Sequence, residues 1–106
     1  MTQNLSDQAL SELIEELDTA QRSTNKDPVE FTRLINRAVE GLQLTEYDFA
    51  EACGAAPFVA KRWLSGKAPD QFARASVLLA LLNQAKKTQS LRGLVAASAA
   101  TLPLPD

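Results

Sequence analysis

No histidine occurs among the 106 residues. That removes the commonest general base and the commonest metal ligand, so a histidine-dependent triad and a zinc site are excluded for the isolated chain. The single cysteine rules out an internal disulfide and fits a cytoplasmic home. The four glycines are scattered, at Gly41, Gly54, Gly66 and Gly93, and form no phosphate-cradling loop. No hydrophobic run is long enough to span a bilayer, and Met1-Thr2-Gln3-Asn4 does not open a signal peptide. No internal repeat is present. Paired carboxylates such as Glu15-Glu16 read as a solvated helix face, with no polar pocket implied nearby. No enzymatic chemistry is expected.

The remainder is the composition of an ordinary soluble globule, 45% hydrophobic and 23% charged. The length suits one domain with a modest helical core. A net charge of −2 conceals an uneven distribution. Residues 1–27 hold six acidic side chains against Arg22 and Lys26, and residues 28–52 hold five against Arg33 and Arg37. Residues 53–93 reverse the sign, with seven basic side chains against Asp70 alone. A positive second half beside an acidic first half is what a phosphate-facing surface on a small protein needs.

Helical periodicity runs through most of the chain. Leu10, Leu13, Ile14 and Leu17 recur at i, i+3, i+4 and i+7, predicting an amphipathic helix from Leu5 to Thr24 with Ser6 as its cap. Such a stripe can complete the domain's own core, or it can serve dimerisation or a protein partner. Ser23 to Pro28 is a polar break, with Asp27 as the next cap. The helix Pro28–Gly41 then puts Phe31, Leu34, Ile35, Ala38 and Val39 on one face. Arg33 and Arg37 lie on another face, open to phosphate or to pairing with Glu30 and Glu40.

The stretch TEYDFAEACGAAPFVAKRWLSG, from Thr45 to Gly66, organises the chain. Thr45 and Asp48 form a capping box, and Phe49, Ala50 and Cys53 share a face. Gly54 supplies the left-handed stop. Pro57 then opens a second short helix bearing Val59, Ala60 and Trp63, which stops at Ser65-Gly66. Trp63 and Cys53 read as core. After Ala68-Pro69-Asp70, the residues Phe72, Val77, Leu78, Leu79, Leu81 and Leu82 make a helix apolar around much of its circumference. It is expected to end in Asn83–Lys87. From Thr88 a further helix weakened by Gly93 is expected, then an extended Leu102-Pro103-Leu104-Pro105 tail.

Two short helices around a glycine turn resemble the helix-turn-helix of the lambda-repressor/Cro (Xre) family. The resemblance is carried by Leu44-Thr45, Phe49-Ala50, Cys53-Gly54 and Arg62-Trp63 before Ser65-Gly66-Lys67. It covers about half the chain, from Phe31 to Leu82. It implies an all-α bundle of five or six helices: an N-terminal helix and linker (1–27), a DNA-binding core (28–87), and a C-terminal helix and tail (88–106). It implies a sequence-specific transcriptional regulator of double-stranded DNA, needing no cofactor and working as a homodimer on a palindrome. By analogy the groove-facing residues are Ala56, Pro57, Phe58, Lys61 and Arg62. Arg62 is the best reader of guanine, Phe58 can press on a thymine methyl, and Lys67, Arg33 and Arg37 suit the backbone. The family often carries glutamine after the position of Thr45; here it is Glu46. That carboxylate, the acidic first half and the apolar Pro57-Phe58 pair suit the other reading, a protein-binding module such as an antitoxin-like adaptor engaging a basic partner through the N-terminal helix.

Overall fold

The computed structural model describes residues 5–23 and 27–101, with side chains through Leu94. Five helices follow one another: α1 (Asp7–Arg22), α2 (Pro28–Gly41), α3 (Glu46–Cys53), α4 (Pro57–Leu64) and α5 (Gln71–Thr101). No strand occurs among the described residues. Thr24, Asn25, Lys26 and the Leu102–Pro105 tail, along with Met1–Asn4, lie outside them.

Each helix begins where its sequence says it should. The Ser6 hydroxyl accepts from Ala9 N at 3.1 Å, and the Asp27 carboxylate accepts from Val29 N at 2.9 Å, with Pro28 at the first helical position. At α3 the capping box is complete: Asp48 N donates to Thr45 Oγ1 at 3.0 Å and Thr45 N donates to Asp48 Oδ2 at 3.2 Å. Asp70 caps α5 through Ala73 N at 2.9 Å. These contacts satisfy amide donors that a helix start otherwise leaves open.

Helices α2, α3 and α4 end alike. A left-handed residue follows each, and the next amide reaches back to the carbonyl five residues earlier: Leu44 to Val39, Ala55 to Ala50, Lys67 to Arg62, all near 3 Å. Gly54 and Gly66 hold that position at φ 67° and 110°, but after α2 it falls to Gln43 at φ 56°. Gly41 serves packing instead, since a Cβ there would lie 2.7 Å from Leu5 Cδ1.

The core is one apolar cluster drawn from every helix, with no buried polar residue among the described ones. Leu10, Leu13 and Leu17 of α1 are buried in it, and α1 packs chiefly on α5. The two run antiparallel. Gln89 Nε2 donates to Ser11 Oγ at 3.1 Å, and Arg92 Nη1 donates to the Leu5 carbonyl at 2.7 Å and to Asp7 Oδ1 at 3.1 Å. Of the roles open to α1, its apolar stripe fills the internal one.

Two expectations are corrected in α5. The helix does not end at Asn83–Lys87, nor does a second one begin at Thr88; 31 residues continue without a break. The Gly93 penalty is only about 1 kcal/mol, and the packing of Leu81, Leu82 and Ala85, with the anchors at Gln89 and Arg92, holds the helix through the polar stretch. Phe72 and Leu79 face solvent, Phe72 at 91% exposure, while Val77, Leu78, Leu81, Leu82 and Ala85 form the buried side.

Candidate nucleic-acid interface

The α3–α4 hairpin is built from its inner side outward. Phe49 and Ala50 of α3 and Ala60 of α4 are fully buried, small alanines letting the helices approach closely. Half-buried Trp63 meets Phe49 edge-on, with ring centres 6.2 Å apart and planes at 70°. From behind, Asn36 of α2 donates its amide to the Leu64 carbonyl at 3.0 Å and to its own Thr32 carbonyl at 2.9 Å, fixing the far end of α4. Asn36 was not legible as a site residue, because its partner lies 28 positions away.

With that side turned inward, the outer side of α4 is set. Ala56, Pro57, Phe58, Lys61 and Arg62 are all exposed, as is Lys67 just past the helix. Phe58, Lys61 and Arg62 share a face by their i, i+3, i+4 spacing. The ammonium groups of Lys61 and Lys67 and the Arg62 guanidinium enter none of the ion pairs among the described residues. Six of the eight sequence-derived site residues are thus brought together on one hairpin.

Arg33 and Arg37 are not part of it. Arg37 Nη1 donates to Glu16 Oε2 of α1 at 2.6 Å, and Arg33 lies 3.6 Å from the same oxygen. Arg33 also grips Glu30 with both ends of its guanidinium. That hydrogen bond is the main reason the Glu30 carboxyl titrates below its usual range and the Arg33 guanidinium above its own. The expected pairing with Glu40 is replaced by one with α1. Arg33 lines an acidic cleft of about 560 Å³ between α1 and α2, shared with Glu12, Glu15, Glu16 and Glu30.

The neighbouring surface of α3 has the opposite sign. Glu46, Asp48 and Glu51 are exposed, together with Tyr47 at 65%. Tyr47 escaped the sequence reading because it lies off the apolar face that located the helix. Cys53 is half-buried, and burial pushes its thiol up to about 11, so at neutral pH it is protonated and poorly nucleophilic. Among the described residues no three acidic, cysteine or histidine side chains converge as metal ligands, and no helix is long and apolar enough to cross a membrane.

No protein-family model matches this chain, and no curated protein or solved structure matches it either.

Proposed function

We propose that this protein binds double-stranded DNA in a sequence-specific way and regulates transcription, as the resemblance to the lambda-repressor/Cro family implies. The observation that carries the reading is the unpaired trio Lys61, Arg62 and Lys67 on the outer side of a short, rigidly backed helix. Four other cations, Arg22, Arg33, Arg37 and Arg92, are held by carboxylates of the same chain. An α-helix with its side chains is about 10–12 Å across, which suits the width of the major groove. In this reading Arg62 reads guanine, Lys61 serves phosphate or guanine, and Lys67 positions the backbone. A cytoplasmic location belongs to the same reading.

One such helix reads only a few base pairs, so a two-fold dimer on half-sites about one helical turn apart is the working form. With the α1 stripe buried, the outward Phe72 and Leu79 of α5 offer apolar surface for that contact. The deciding experiment is selection from a random duplex pool at low salt, with Arg62→Ala/Lys67→Ala in parallel. The reading expects an enriched palindrome that the double variant no longer retains. No enrichment by the unaltered protein would end it.

The second reading, a protein-binding module, is favoured by the exposed Glu46, Asp48 and Glu51 beside Tyr47, which would repel a nearby phosphate. It expects a pull-down partner whose capture survives the Arg62→Ala/Lys67→Ala exchange.

A further inference from the structure

The outward face of α5 has the same spacing read from either end. Phe72, Ser76, Leu79, Asn83, Lys87, Ser90 and Leu94 are all exposed, at i, i+4, i+7, i+11, i+15, i+18 and i+22. At 100° per residue they fall in a band about 80° wide, turned away from the buried Leu78, Leu81 and Ala85. Phe72, Asn83 and Leu94 are eleven apart, which is about 3.67 residues per turn, so the band runs nearly straight along the helix.

Turned half a circle about Asn83, a second copy would set Phe72 against Leu94, Ser76 against Ser90, and Leu79 against the aliphatic stem of Lys87. Each of these contacts is then made twice, which is the condition for a two-fold contact between identical patches. Asn83 would meet its own copy, with an amide that both donates and accepts. Charge fixes the direction. Helix α5 carries no acidic side chain. Laid parallel, two copies would oppose Lys86 to Lys86 and Lys87 to Lys87; laid antiparallel, these lysines meet Ala80 and Leu79. Phe72 alone offers roughly 200 Å². With Leu79, Leu91 and Leu94, two copies would remove on the order of 1,200 Å² from water, the lower edge of a specific interface.

We infer that two copies of this chain associate through antiparallel α5 helices, with the two-fold axis at Asn83. The two Phe72 positions, each shortly after an α4 helix, then lie about 33 Å apart along the pair. Half-sites one helical turn apart are separated by about 34–36 Å. The inference deepens the dimer of the DNA reading and rests on that reading for its use on DNA; the contact itself is tested without DNA.

Sedimentation of the full chain should show a dimer forming at micromolar concentration. Leu79→Lys sets like charges opposite each other at two points and should weaken association at least about a hundredfold. Leu79→Glu, facing Lys87 of the second copy, should weaken it far less. Position 79 is on the outward face, so both variants should melt like the parent, which circular dichroism checks. Register is read by cross-linking in a Cys53→Ala background. Asn83→Cys should give a disulfide-linked dimer on air oxidation. Ser76→Cys and Ser90→Cys should each fail alone, their copies lying about 21 Å apart, and should link when mixed. A chain that stays monomeric up to about 1 mM, or a dimer indifferent to Leu79→Lys, overturns the inference. Self-linking of Ser76→Cys or Ser90→Cys overturns the antiparallel direction. A dimer that behaves as expected but enriches no duplex upholds the contact and ends the DNA reading.

Discussion

Two basic clusters carry the same sign of charge and opposite commitments. Arg33 and Arg37 on α2 converge on Glu16, and Arg33 also holds Glu30. Lys61, Arg62 and Lys67 on α4 and its exit meet no carboxylate. The difference comes from the neighbours. Helix α2 lies beside acidic α1, whereas the outer side of α4 faces only water. A count of charges along the chain treats the clusters alike; the tertiary arrangement separates a structural set from an available one.

The sharpest way to break this arrangement is from beneath. Phe49 is fully buried against Trp63, so Phe49→Ala should cost about 3–5 kcal/mol in urea unfolding. By contrast, Lys61→Ala/Arg62→Ala should stay within about 0.5 kcal/mol of the parent, as expected for exposed side chains without partners. A large loss from the latter pair would mean that those cations do hold the fold.

The helix ends offer a smaller, two-sided test. Gly54→Ala meets no neighbour within 4 Å, so its loss of about 1 kcal/mol reflects the left-handed backbone alone. Gln43→Gly relieves the same conformation after α2 and should gain about 1 kcal/mol, read as a higher melting temperature. Smaller again is Glu16→Gln, which removes the carboxylate shared by both arginines. The groups are a third to half exposed, so the loss should be about 0.5 kcal/mol and should shrink in 1 M salt. Least of all, Cys53 should react slowly with iodoacetamide at pH 8, its rate climbing as pH approaches about 11, where the thiolate forms.

Local chemistry was the legible part of this fold. Asp27-Pro28 marked the start of α2 to the residue, Thr45 and Asp48 marked that of α3, and Gly54 and Gly66 marked two stops. What could not be read depends on distant partners. Arg92 reaches Leu5 and Asp7, and Gln89 reaches Ser11, so the anchoring that carries α5 past Lys87 comes from the other end of the chain. The convergence of Arg33 and Arg37 on Glu16 likewise appears only once α1 lies against α2. Which side of the apolar Phe72–Leu82 stretch meets solvent could not be read either, because hydrophobicity alone does not say which side of a long helix is buried. On the candidate site, six positions on one hairpin were named through the family resemblance, but which of the cations were unpaired could not be read.

In the proposed reading one cluster is available to phosphate and the other is spent. Duplex affinity measured between about 50 and 200 mM salt tests it directly, since each phosphate contact adds about −0.9 to the log–log slope. With Lys67, or Lys67 and Lys61, on phosphate in each of two subunits, replacing Lys61, Arg62 and Lys67 with alanine should flatten the slope by about 1.8–3.6, while Arg33→Ala/Arg37→Ala should leave it unchanged. An unaltered slope in the triple variant, or an equal flattening from the two arginines of α2, would contradict the account.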